Sequence, residues 1–353
     1  MHSSGTASEA NTFHEGTHMT VRVGINGFGR IGRNFCRAAK ASGADVDFVA
    51  VNDLGSLDIM AGLLQRDSVH GRYPGTVTVT DEGLDVDGDT LKVLSTRNPA
   101  ELPWGDLGVD VVIESTGFFA TREAAAAHLE GGAPRVIVSA PAKGADATFV
   151  VGVNDDTFDP ANHTVVSNAS CTTNCFVPMV KVLDDAFGVE HGLMTTTHAY
   201  TGDQSMVDGP HSDPRRARAG AVNIIPTSTG AARATGLVLS ALDGKLDGTS
   251  LRVPIPSGSI TDFVAVVGRE VSVDEVNAAF EAAATSGPMS KVLEYSTEPL
   301  VSSDIVGTSA SCTFDSGLTM TQGSLVKVLG WYDNEWGYSN RLVDLAAIVG
   351  SAG

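Results

Sequence analysis

Lysine is scarce in this chain, 7 residues of 353 against 16 arginines, and the 23 basic residues face 42 acidic ones for a net charge of −19. That balance excludes a sequence-independent nucleic-acid binder and a protein drawn by charge to an anionic membrane. No run of 18 apolar residues occurs, which excludes a transmembrane helix. The first 20 residues have neither a basic start nor an apolar stretch, so no signal peptide is expected. Cysteine is limited to Cys36, Cys171, Cys175 and Cys312, with no paired spacing over a short stretch. This excludes a disulfide-stapled module and predicts free thiols in a reducing compartment, the cytoplasm. No Cys/His cluster completes a tetrahedral zinc site around the i,i+4 pair Cys171 and Cys175, so no metal is expected.

Aspartate is in excess, 28 residues against 14 glutamates. An Asp-rich, Lys-poor surface suits a halophilic protein, because the screening length shortens to about 3 Å at 1 M salt. An ordinary acidic cytosolic protein has the same composition and stays open as the second reading. With 42% apolar and 18% charged residues the chain should fold, and its length predicts about two domains. Residues 1–19, rich in Ser, Thr, Gly and His, read as a flexible leader or a remnant of expression.

From Val21 the chain reads strand (VRVGIN), glycine turn, helix (NFCRAAKAS), then a second strand ending at Asp53. Further strand-like runs stand at 76–80, 91–96, 109–116, 135–141 and 147–153, with a helical stretch at REAAAAHLE. Short apolar strands alternating with helices predict an α/β, Rossmann-type doubly wound domain over 20–170, completed by a C-terminal helix within 337–353. After Cys171 come a helix to about Asp185, a strand at 193–200, and an aperiodic stretch at 201–220. Longer strands follow at 252–256, 259–268 and 324–333, predicting an α+β domain over 171–336 with a mainly antiparallel sheet. Twenty residues without periodicity, carrying Arg215, Arg216 and Arg218, predict a functional or subunit-contact loop.

Gly27, Gly29 and Gly32 form G-x-G-x-x-G directly after a strand and at the start of a helix. Glycines there permit a tight turn and the close approach of a pyrophosphate to a helix N-terminus. Asp53 closes the second strand, where a carboxylate accepts the hydroxyls of an adenosine ribose and repels a 2′-phosphate; NAD is expected over NADP. Cys171 falls in the first turn of a helix, where free N–H groups and the dipole lower a thiol pKa and suit a nucleophile. The plain alternative for Cys171 and Cys175 is packing as small buried residues. For His198, on an apolar strand, the alternative is a satisfied core histidine, and for Arg252 a strand-face arginine paired with a carboxylate.

The strings INGFGRIGRN, SNASCTTNC and GWYDNEWGYSNRLVDL, with ESTGFF, SAPAK, PTSTGAA and LRVPIP, resemble phosphorylating glyceraldehyde-3-phosphate dehydrogenase over about residues 21–350. The resemblance implies Cys171 as nucleophile and His198 as its base, acting on D-glyceraldehyde 3-phosphate with NAD and inorganic phosphate. It implies Thr201 and Arg252 at the substrate phosphate, and Ser170, Thr172, Thr229 and Gly230 at the attacking phosphate, with Arg216 nearby. Asn334 is implied at the nicotinamide carboxamide, Arg30 and Ile31 at the pyrophosphate, and Arg97 and Ser139 on the cofactor side. A homotetramer is implied as well. Phe118 and Gly209 depart from the family pattern, the latter at a segment that bears on cofactor discrimination. An erythrose 4-phosphate dehydrogenase and a non-catalytic binding protein of the same fold are the alternatives, and the intact TGDQ and PTSTGAA segments speak against the first.

Overall fold

The computed structural model describes residues 20–352, so the leader read over 1–19 lies outside the described residues. Nine strands form the first sheet, in the order Ala147–Thr148, Val165–Ser167, Val136–Val138, Val111–Glu114, Val21–Asn26, Val46–Asn52, Asp89–Leu94, Gly83–Val86 and Val77–Thr80. The strands from Ala147–Thr148 through Asp89–Leu94 run parallel, and the last two form an antiparallel edge. The central strands read as unbroken apolar runs because both their faces are covered. Val23, Ile25 and Val51 pack with Phe35 of the helix Arg30–Ser42 and with Leu342 and Leu345 of the helix Trp336–Gly350. Ala50 and Val112 face the other way, onto Trp104 and Leu102.

The second sheet runs Ile225–Ser228, Leu246–Val253, Val189–Ala199, Ser259–Val267, Leu325–Tyr332, Cys312–Asp315, Leu293–Ser296, and most of its pairs are antiparallel. Two are parallel: Val189–Ala199 with Leu246–Val253, and Leu293–Ser296 with Cys312–Asp315. In Ser259–Val267 every second residue is buried, the period of a strand packed hard on one face. That face takes the helices Cys171–Phe187 and Val273–Thr285 through Phe176, Met179, Val276 and Phe280.

Several elements differ from their sequence reading. The run 147–153 is strand only at Ala147–Thr148, because Asn154 Oδ1 accepts the Val150 N–H and Asp155 Oδ1 accepts the Gly152 N–H, and these side chains turn the backbone instead. The strand read at 252–256 lies at 246–253, stopped where Pro254 and Pro256 remove ladder donors. The strand Gly83–Val86, hidden in the polar string DEGLDVDGD, and the helix Leu57–Gln65 carry too weak a period to be read. No helix among the described residues is long and apolar enough to cross a membrane.

Candidate active site

The glycine turn sits where the first sheet opens at its C-terminal edge. Gly27 has φ +93°, and a Cβ there would stand 2.7 Å from the Thr116 nitrogen; a Cβ on Gly32 would collide with the Gly27 carbonyl oxygen. Both positions therefore require glycine. A Cβ on Gly29 would meet nothing within 4 Å, leaving open space over the N-terminus of the helix Arg30–Ser42, which has no side-chain cap. Uncapped N–H groups facing open space suit a pyrophosphate. A groove of about 470 Å³ runs from Gly27 and Gly29 past Asp53 and Leu54 to Arg97, Phe118 and Phe119. Asp53 accepts the Phe28 N–H at 2.7 Å and the Gly55 N–H at 2.8 Å, so its carboxylate both braces the glycine turn and faces the groove. These residues fit a dinucleotide.

A ribose 2′-phosphate placed in that groove would meet the Asp53 carboxylate. NAD should exceed NADP in kcat/KM by at least about tenfold, and Asp53→Asn should narrow the gap while keeping an oxygen for the Phe28 N–H. Steady-state kinetics with both dinucleotides checks this; equal efficiencies in the parent chain would contradict it.

The Arg30 side chain pairs with Glu335 and Asp67 and does not line the groove, while Ile31 packs into the core. Ser139 stands one strand over from Glu114, its N–H on the Glu114 carbonyl at 2.9 Å, outside the residues that line the groove. Asn334 is buried, and its amide oxygen accepts the Ser259 hydroxyl at 2.8 Å, which turns its N–H donors the other way.

Cys171 opens the helix Cys171–Phe187, behind Ala169, whose φ of +55° is unusual for a residue with a side chain and aims the turn. Ser170 caps that helix, accepting the Thr173 N–H at 3.0 Å. His198 is buried on Val189–Ala199 and brings Nε2 to 3.4 Å from Cys171 Sγ. Its Nδ1 lies 2.7 Å from the Ala199 carbonyl oxygen, and a proton donated there leaves Nε2 as an acceptor facing the thiol. The parallel register sets Arg252 beside His198, with Nη1 3.1 Å from the same carbonyl and 2.9 Å from His198 Nδ1.

Burial pushes the Cys171 thiol up to about 11, against Arg252 and the Thr172 hydroxyl, which favour the thiolate. Burial, then the Arg252 cation, pushes His198 down to about 3. The helix N-terminus was expected to lower the thiol; the loss of water outweighs it. Both shifts favour a neutral resting pair.

Arg252 Nε is buried without a partner and could donate to an anion. Thr201 follows the strand end two residues past Ala199, its N–H 3.3 Å from Gln204 Oε1. Arg216 is carried in by the 201–220 segment, held by Thr227 Oγ1 at 2.8 Å and Asp203 at 3.0 Å, and its charge reaches both His198 and Arg252. Gly230 opens the helix Ala231–Val238 with no side-chain cap, next to Thr229, whose hydroxyl accepts the Ala231 N–H at 3.2 Å. The Thr172 hydroxyl already faces Tyr332 Oη at 2.9 Å, so an anion there competes with Tyr332. Tyr332, also 2.8 Å from Thr196 Oγ1, and the positive φ of Ala169 were missed in the sequence. The string WYDNE held the tyrosine, but nothing in it shows which way a hydroxyl points.

A dinucleotide groove on the first sheet, together with a cysteine–histidine pair flanked by arginine and hydroxyls, fits an oxidoreductase with a cysteine in its active site. Family models described as glyceraldehyde 3-phosphate dehydrogenase match this chain, the NAD binding domain over residues 21–122 and the C-terminal domain over 170–334. The glyceraldehyde-3-phosphate dehydrogenase of Streptomyces coelicolor is 62% identical over 334 residues, 94% of this chain and 99% of that one. The protein of the same name in Mycolicibacterium smegmatis is 56% identical over 341 residues, 95% of this chain and 100% of its own. The chain belongs to the glyceraldehyde-3-phosphate dehydrogenase family, and its dinucleotide is NAD.

Proposed function

We infer that the chain converts D-glyceraldehyde 3-phosphate and inorganic phosphate to 1,3-bisphosphoglycerate, with NAD as oxidant. The observation that carries this reading is Cys171 Sγ at 3.4 Å from His198 Nε2, with the unpartnered Arg252 Nε beside them. Cys171 adds to the aldehyde carbon as His198 Nε2 takes the thiol proton, and that imidazolium then donates to the forming alkoxide. The bound dinucleotide supplies the hydride acceptor. As hydride leaves carbon, His198 takes back the hydroxyl proton and a thioester remains on Cys171. Phosphate attacks the thioester carbonyl and Cys171 leaves as thiolate, recovering the proton from His198. Substrate phosphate paired with Arg252 offsets the cation that otherwise opposes an imidazolium at His198, so substrate binding itself eases the proton transfer. Absorbance at 340 nm with aldehyde, NAD and phosphate tests the reading; activity without phosphate equal to that with it would overturn the phosphorylating step.

Four free thiols, Cys171 among them, suit the cytoplasm. The 201–220 segment and its continuation leave Met206 89%, Val207 73%, Val222 74% and Ile224 67% exposed, apolar surface of the kind a second subunit covers. A homotetramer is the assembly we expect, stabilised by salt if the aspartate excess is a halophilic adaptation. Light scattering should report four chains, and the melting temperature should rise between 0.1 and 2 M KCl as repulsion is screened. A monomer would contradict the assembly, and a flat or falling melting series would contradict the halophily.

A further inference from the structure

The strand ends beneath the dinucleotide groove are joined by a buried polar chain that the mechanism does not use. His128, in the short helix Ala127–Glu130, is fully buried. Its Nδ1 lies 3.0 Å from Trp104 Nε1. An indole N–H only donates, so Nδ1 is the acceptor and the imidazole proton sits on Nε2. Nε2–H donates in turn to Glu114 Oε2 at 3.0 Å. Glu114, also buried, ends the strand Val111–Glu114 and accepts further bonds from Asn26 Nδ2 at 2.6 Å, the Thr116 N–H at 2.8 Å and the Thr116 hydroxyl. Asn26 Oδ1 accepts from Asn52 Nδ2 at 2.7 Å, and Asn52 exchanges two bonds of 2.8 Å with the Thr96 backbone. Asn26, Asn52, Thr96 and Thr116 line the groove. The first three directly precede Gly27, Asp53 and Arg97.

We propose that His128 is a positioning residue for dinucleotide binding: its Nε2–H fixes the Glu114 carboxylate, which holds the turns around the groove at the spacing the ligand needs. The proposal rests on the NAD reading above. His128 reaches no ligand itself; it acts through Glu114. Without it the carboxylate loses a donor and the Trp104 N–H loses its acceptor, and both groups are buried. The carboxylate then has to turn, and Asn26 and Thr116 turn with it. The glycine turn has no slack to absorb that movement, since even a Cβ on Gly27 would stand 2.7 Å from the Thr116 nitrogen.

His128→Leu and His128→Gln in the full chain separate this role from packing. Leucine removes both bonds, whereas glutamine offers a carbonyl to the Trp104 N–H and an amide N–H to Glu114. Titration with NAD should show His128→Leu binding about tenfold more weakly or worse, with kcat at saturating NAD within about twofold of the parent. His128→Gln should recover most of the affinity. Parent-like NAD affinity in His128→Leu would overturn the proposal, and so would a His128→Gln variant as weak as the leucine one, which would assign the effect to packing. Should His128→Leu fail to fold, Glu114→Gln sets an amide N–H against the same donors at unchanged shape. It should raise the KM for NAD with kcat retained, and an unchanged KM would overturn the proposal. A parent chain that does not bind NAD in the same titration would overturn the functional reading itself.

Discussion

Cys171→Ser is expected to abolish aldehyde oxidation, by more than about 10³-fold in kcat, while the affinity for NAD stays within about twofold of the parent. The hydroxyl that replaces the thiol is a far weaker acid, and the neutral His198 at 3.4 Å from the sulfur gives it no compensating base strength. Even an adduct that formed would leave an oxygen ester in place of the thioester, a poorer acyl donor to phosphate. NAD affinity is spared because the groove is built from Gly27, Gly29, Asp53 and Arg97 on the first sheet, and Cys171 is not among the residues that line it. Chemical labelling gives the independent check. Cys36, Cys175 and Cys312 are buried, with the Cys36 thiol pushed up to about 12, while Cys171 is half-buried beside a histidine. Brief treatment with iodoacetate followed by mass mapping should find Cys171 carboxymethylated first. Label on Cys36 or Cys312 ahead of it, or turnover retained in the serine variant, would remove Cys171 from the reaction.

The dinucleotide half of the site was legible because its chemistry is local in sequence. Gly27, Gly29 and Gly32 fall within six residues, and the strand before them and the helix after them carry clear periods, so one stretch of chain states both the turn and its context. The cysteine turn was legible for the same reason. The base was not legible from spacing: His198 sits 27 residues past Cys171 on an ordinary apolar strand, and the resemblance alone singled it out. The sign of the thiol shift could not be read either, because burial is decided by packing against the second sheet, Tyr332 included, brought in from far along the chain. The chain from Trp104 through His128 to Glu114 is the extreme case. Its members come from separate elements, and only the folded strand order sets Asn26 beside Glu114.

His198→Asn should lower kcat by about 10²- to 10⁴-fold, the range for loss of a positioned general acid and base, while its protein still binds NAD. Asparagine keeps a polar side chain of similar reach on Val189–Ala199 but cannot accept a proton at neutral pH. The buried thiol then has only its own ionisation: at about 11, about one part in 10⁴ is thiolate at pH 7. The sign of the pH effect follows. In the parent chain an imidazole that takes the proton as sulfur attacks should let alkylation of Cys171 proceed near neutral pH, falling off only when acid occupies His198 Nε2. In His198→Asn the rate should climb through the alkaline range, because hydroxide alone removes the thiol proton. Arg252 acts on both partners in one direction, favouring the thiolate and opposing the imidazolium, so its loss raises both pKa values. Arg252→Gln should therefore move the whole alkylation profile of the parent to higher pH, opposite to the shift expected if the guanidinium held the imidazole charged. Iodoacetamide, a neutral reagent that the arginines do not steer, gives the cleanest profile across pH 5 to 11. A His198→Asn profile that overlays the parent would show that the histidine neither takes nor returns the proton, and the catalytic pair would have to be sought elsewhere.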